Sequence, residues 1–268
     1  MYSLPVIELA RGIRSLLVAT GIGAAAMLNM RGFHRRQAAG AAELNETLPV
    51  HSRWWRDHAQ ESGELLYVAI GDSAAQGIGA SEPNRSYVGI LADHLREATG
   101  RTVRVVNLSV SGATVELAVR DQLPRFTRLS PDLVTVAIGA NDIARWNATV
   151  FEAGIRRLFA VLPRTTLVAD LPCFHLPHAE RKVAVANEII RRVAAECDLA
   201  VVPLHATTKR AGIRSVATHV AQDLFHPNDR GYRSWAQAFL PSLTAQIADR
   251  FAPIVDPAPG VSEAAARL

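Results

Sequence analysis

Between Leu65 and Leu204 five short apolar runs, several of them rich in β-branched residues, alternate with stretches long enough for helices. No other feature restricts the fold of this chain as much. The runs are Leu65 to Ile70, Val103 to Leu108, Leu133 to Ile138, Thr166 to Leu171 and Leu199 to Leu204. The intervening stretches, near Ser86 to Thr99, Thr114 to Arg128, Val150 to Leu162 and Ala179 to Glu196, read as helices, and a last helix starts near Asn228. Strands joined through helices run parallel, and a parallel sheet is covered by helices on both faces. Gly100, Pro131, Pro163 and Pro203 fall at the edges of these elements, where chain-breaking residues belong. The expected fold class is α/β with a five-stranded parallel sheet.

A chain of 268 residues holds one large α/β domain and not two with tails. With 49% hydrophobic and 20% charged residues its composition is that of a globular protein. The domain is placed at residues 64–251. An apolar N-terminal segment (1–36) and a polar linker or covering segment (37–63) precede it, with Trp54 and Trp55 packing on the domain edge. A disordered tail (252–268) follows. The formal charge is +4, yet the basic residues are scattered and form no stripe interleaved with aromatics, so nucleic acid is not an expected partner.

Ser15 to Met30 is apolar over sixteen residues, with Arg11 and Arg14 before it and Arg31, Arg35 and Arg36 after it. It is short for a spanning helix, and Ala24-Ala25-Ala26 offers a signal-cleavage site. Positive charge after the run counts against export, which leaves an interfacial anchor as the favoured reading. The expected location is membrane-associated or exported to the cell envelope, with residues 15–30 touching the membrane surface. Gly21-Ile22-Gly23 in the same run mimics a dinucleotide fingerprint, but no second buried strand follows to complete that unit. No cofactor is expected.

Ligands of an open parallel sheet bind outside the carboxyl ends of its strands. There the sequence places Gly71-Asp72-Ser73, Ser109-Val110-Ser111-Gly112, Gly139-Ala140-Asn141-Asp142, and, after the fifth strand, Asp223-Leu224-Phe225-His226-Pro227. A serine hydroxyl needs a base, and an imidazole needs a carboxylate to orient it, so Ser73, His226 and Asp223 form a candidate triad for acyl transfer. The oxyanion of such a reaction needs donors held in advance. The N–H groups of Ser73 and Gly112 and the amide of Asn141 are the candidates. Asp72, Asn107 and Asp142 read as residues that hold their loops together.

GDSAAQGIG, NLSVSGATV, IGAND and DLFHP, in this order, resemble the four blocks of the SGNH hydrolases, the GDSL-type esterases and lipases. The resemblance covers about Leu65 to Phe239. It implies a three-layer α/β/α sandwich with strand order 2-1-3-4-5, Ser73 as nucleophile, Gly112 and Asn141 in the oxyanion hole, and Asp223 and His226 completing the triad. The second block carries Ser109 where many relatives have glycine. No GxSxG elbow occurs, which argues against the larger α/β-hydrolase fold.

The expected activity is ester hydrolysis through an acyl-enzyme, on a small-molecule or lipid ester, by a chain assumed monomeric. Thioesterase, carbohydrate O-deacetylase and acyltransferase chemistry use the same parts, and a catalytically silent binding module would use the same cleft. Arg145, Trp146, Phe174 and His175 follow the third and fourth strands and are expected to shape the substrate pocket. Cys173, His175 and His178 resemble a metal cluster, but no further ligand stands near them in sequence, so a substrate-facing loop is favoured and no metal is expected. Cys173 and Cys197 lie at opposite ends of a helix and are expected to be free thiols.

Overall fold

The computed structural model describes residues 43–251 apart from 45, 213 and 224. The apolar run 15–30 and the tail 252–268 lie outside the described residues. Five parallel strands, β1 (Leu65–Gly71), β2 (Val103–Asn107), β3 (Leu133–Ala137), β4 (Thr166–Ala169) and β5 (Ala200–Val202), are ordered β2-β1-β3-β4-β5. The expected order is the observed one. β1 lies between β2 and β3, pairing Ala69 with Asn107 on one side and with Thr135 on the other.

Because side chains alternate along a strand, β1 feeds two cores at once. Val68 and Ile70 pack on one face; Leu65, Tyr67 and Ala69 pack on the other. Helices α1 (Tyr87–Thr99) and α4 (Asp229–Arg250) cover the Tyr67 face, where Tyr87 stacks on Phe239 with ring centroids 5.2 Å apart. Helices α2 (Ala148–Phe159) and α3 (Pro177–Glu196) cover the other face through Phe151, Ile155, Val183 and Ile190. The result is a three-layer α/β/α sandwich.

Element ends follow local chemistry. Ser86 caps α1 by accepting the Gly89 N–H, and α1 stops at Gly100, whose φ of +67° suits glycine. Asn147 and Asn228 cap α2 and α4 in the same way. The helix expected from Thr114 to Arg128 is broken: Val115–Leu117 passes through a π turn, Ala118–Gln122, into Leu123–Phe126. Pro124 has no N–H to give to the preceding turn, which accounts for the wider spacing there. β5 is shorter than the run that announced it, since Leu204 starts a helix, Leu204–Arg210, straight after Pro203.

Residues 46–58, N-terminal to the sheet, are helical. Trp55 is buried there, and its indole N–H donates to the Gln76 carbonyl at 3.0 Å. Among the described residues no helix is long and apolar enough to cross a membrane.

Candidate active site

β1 ends where its chemistry begins. The side chain of Asp72 accepts the Ala74 N–H at 3.0 Å and caps a single turn, Ser73–Gln76, so Ser73 stands first in that turn. A first-turn N–H has no acceptor within its own helix, which leaves the Ser73 amide available to a ligand. Gly77, at φ +82°, ends the turn, and Gly79, at φ +94°, brings the backbone against the His226 loop. A Cβ at Gly79 would stand 2.5 Å from the Pro227 carbonyl oxygen and 3.1 Å from the His226 Cβ.

The loop carrying His226 is itself closed. Ala221 N–H donates to the His226 carbonyl at 2.8 Å, and the Asn228 amide donates to the Val220 carbonyl at 2.9 Å. Within it, Asp223 Oδ1 accepts the N–H groups of Phe225 and His226, at 3.1 and 3.0 Å, which fixes the carboxylate. Its Oδ2 lies 2.5 Å from His226 Nδ1, and His226 Nε2 lies 2.8 Å from Ser73 Oγ. A carboxylate only accepts, so Nδ1 carries the proton and Nε2 is left as acceptor for the serine hydroxyl. Burial opposes the charge on Asp223, but the hydrogen bond and charge of His226, with the two backbone N–H groups, hold its pKa below the ordinary aspartate value.

The other strand ends converge on Ser73 from the side. Asn107 donates to the Ala75 carbonyl at 2.8 Å and accepts from both the N–H and the hydroxyl of Ser109, so the serine in the second block closes its loop through Asn107. Gly112 follows at φ +76° with open space where a Cβ would stand; the constraint there is backbone conformation and not room. Asn141 Nδ2 donates to the Ala113 carbonyl at 2.9 Å and lies 3.4 Å from Asp72 Oδ2. The bond to Ala113 thus orients the amide, while the contact to Asp72 is long and weak. Asp142 accepts the Val115 N–H at 3.1 Å. Burial pushes both Asp72 and Asp142 up to about 6.

Ser73, Asn141 and His226 open onto a cavity of about 820 Å³ walled by Phe174, Leu176, Val220, Phe225 and Trp235. Phe174 and His175 line it. Arg145 and Trp146, expected to do the same, do not: the turn Asn141–Ile143 carries the chain away from the cleft, Arg145 is exposed, and Trp146 packs on Phe151 with ring centroids 5.1 Å apart.

Two glutamines brace the site with little sign of it in their sequence neighbourhood. Gln122, fully buried in the π turn, accepts the Gly71 N–H at 3.1 Å and donates to the Gly71 carbonyl at 2.8 Å, engaging both polar groups of the residue that ends β1. Gln76 donates to the Ser109 carbonyl at 3.1 Å and ties the first block to the second. A polar residue inside a helix-like run carries no mark of such a role; the nearby Pro124, as a helix breaker, was the only available signal.

Comparison with known proteins fixes the family. The family model for the GDSL-like lipase/acylhydrolase family matches residues 69–234. The chain belongs to that family. The GDSL-like hydrolases act on ester bonds, and this chain is an ester-bond hydrolase among them. An α/β-hydrolase enzyme from the metagenome of Lake Arreo, Spain, is 25% identical, with a TM-score of 0.58 over 69% of this chain and 98% of that one. A lipolytic G-D-S-L protein of Veillonella parvula (20% identical, TM-score 0.56, covering 67% and 98%) shares the GDSL fold. So does an acetylxylan esterase of Geobacillus stearothermophilus (23%, 0.51, 68% and 95%). No curated protein matches the sequence.

Proposed function

We propose that this chain is a serine esterase or lipase that works through an acyl-enzyme, with Ser73 as nucleophile, His226 as general base and Asp223 as the group orienting it. The observation that carries this reading is the unbroken relay Asp223, His226, Ser73, with contacts of 2.5 and 2.8 Å, opening onto an apolar cavity. Ser73 Oγ attacks the ester carbonyl as its proton passes to His226 Nε2. The Ser73 and Gly112 N–H groups and the Asn141 amide take the oxyanion. His226 then protonates the departing alkoxide, and water, activated by the same imidazole, releases the acid and restores Ser73.

The walls favour an ester with a sizeable apolar portion, since aromatic and aliphatic side chains dominate them and charged groups do not. A panel of p-nitrophenyl esters of graded chain length, with acetylated sugars and an acyl thioester beside it, tests this. Rising kcat/KM from acetyl toward longer chains is the expected result. A preference for acetylated sugars makes it an O-deacetylase, a preference for the thioester makes it a thioesterase, and transfer to an added alcohol in place of water makes it an acyltransferase.

A further inference from the structure

Beside the cleft, and outside the relay, three segments meet at a second group of side chains. Cys173 comes from the loop after β4, Glu180 from the first turn of α3, and His205 from the helix Leu204–Arg210. Their ligating atoms lie within 4.8 Å of one another. His205 Nε2 is 2.9 Å from Glu180 Oε2, and Cys173 Sγ is 3.6 Å from His175 Nδ1. The expectation of no metal rested on the lack of further ligands beside Cys173 in sequence. The fold supplies two, from seven and thirty-two residues further along the chain.

A hydrogen-bonded Glu180–His205 pair accounts for two of these groups. The Cys173 thiol reaches Glu180 as well, and His175 turns toward that thiol through a left-handed backbone, φ +57°, which a non-glycine residue seldom adopts; a bare ion pair explains neither a thiol at that point nor the strained histidine. In a tetrahedral zinc site the nitrogen-to-oxygen edge is about 3.3 Å and the sulfur-to-nitrogen edge about 3.5 Å, from bond lengths of about 2.0 and 2.3 Å. The 3.6 Å sulfur-to-nitrogen distance stands close to its edge, and the 2.9 Å nitrogen-to-oxygen hydrogen bond would open by about 0.4 Å to admit the ion.

We propose that Cys173, Glu180 and His205 bind one zinc ion that clamps the wall of the substrate cleft, with His175, whose ring already reaches the thiol, turning in to the fourth position. The donor set selects the metal class. A thiolate with imidazoles and one carboxylate suits zinc, whereas magnesium and calcium take oxygen ligands. Binding displaces the thiol proton and leaves both imidazoles neutral.

The surroundings fix the ligands as a metal site requires. Glu180 turns its other oxygen to the Phe174 N–H at 2.5 Å; the Thr208 hydroxyl accepts the Cys173 backbone N–H at 2.8 Å; and the His205 backbone N–H donates to the buried Asp170 carboxylate at 2.7 Å, which holds the segment that carries the ring. Asp170 is held in turn by Arg191 at 2.9 Å. Cys173, Phe174, His175 and Thr208 all line the cleft, so the ion would reinforce the hydrogen bonds that already tie this part of its wall to the two helices behind it, without touching the reacting atoms.

The test uses the full untagged chain, stripped by chelator and titrated with zinc against a chromophoric competitor. One equivalent bound per chain, with a rise in Tm, is expected. Cobalt in place of zinc is expected to give a thiolate-to-cobalt charge-transfer band in the near ultraviolet. Cys173→Ser is expected to remove that band, and His205→Gln to weaken binding by roughly a hundred-fold or more. His178→Ala, an exposed neighbour outside the cluster, is expected to bind as wild type does. Failure of the wild type to bind zinc at micromolar concentration, or a cobalt spectrum without the thiolate band, overturns the proposal whether or not the variants fold. So does undiminished affinity in a folded Cys173→Ser protein.

Discussion

Asn141 and Asp72 share one long contact, at 3.4 Å, and carry different burdens. As a proposed oxyanion donor, Asn141 acts on charge that exists only in the transition state, so its loss is expected in kcat and not in KM. Asn141→Ala is expected to lower kcat by about a hundred- to a thousand-fold on short p-nitrophenyl esters, with Tm little changed. A large drop in Tm with kcat retained would make Asn141 a brace for its loop instead. Asp72 is a buried carboxylate whose pKa stands at about 6, above the ordinary 3.8, chiefly through desolvation. A group raised in the folded state contributes stability that is complete below pH 4 and is lost as pH rises through 6. The shift is worth about 3 kcal/mol at neutral pH. Asp72→Asn keeps an acceptor for the Ala74 N–H and escapes that loss, so the Tm difference, variant minus wild type, is expected to be larger at pH 8 than at pH 4. Melting curves at the two pH values decide it; an equal difference would mean that Asp72 is not desolvated.

The central strand shows how one element joins fold to site. β1 is buried over nearly its whole length, feeds a core on each face, and ends at Gly71, where a Cβ would come 2.7 Å from the Ala137 carbonyl oxygen. Beyond that point the sheet offers Gly71 no further partner on the β2 side except Val110, whose N–H reaches the Gly71 carbonyl at 3.3 Å, and the Gln122 amide supplies the rest. Gln122→Leu strands a buried N–H and weakens the pairing of a buried carbonyl at the base of the Ser73 turn. A loss of about 3 kcal/mol in urea unfolding is expected, with reduced kcat. A variant as stable as wild type would show that water replaces the clamp. Strands and long helices were legible in the sequence because their apolar runs and capping residues act locally: Ser86, Gly100, Asn147 and Asn228 each stand where a helix starts or stops. The four loop blocks were legible because strand ends carry polar and glycine residues against an apolar background. Gln122, Gln76 and the Cys173–Glu180–His205 group were not, because each joins segments that only the tertiary fold brings together. Arg145 and Trp146 misled for the opposite reason, being close to Asn141 in sequence but turned out of the cleft by the chain after it.

At the scale of the whole molecule, the candidate catalytic groups and the proposed metal ligand Cys173 gather at the carboxyl end of the sheet. Ser73 follows β1, Gly112 and Asn141 follow β2 and β3, Cys173 follows β4, and Asp223 with His226 precede α4. A sheet whose strands all point one way gathers its loops at one end, which is why a residue 153 positions from Ser73 stands within hydrogen-bonding distance of it. The cleft between these loops, lined by Phe174, Leu176, Phe225 and Trp235, is the proposed seat of the apolar part of an ester. The claim on which this account rests is that Ser73 is the nucleophile. Labelling the full chain with a fluorophosphonate and mapping the adduct by peptide mass spectrometry measures it directly. One adduct, on the peptide carrying Ser73 and absent from a folded Ser73→Ala protein, is the expected result; an adduct on another residue, or none on an active protein, would contradict it.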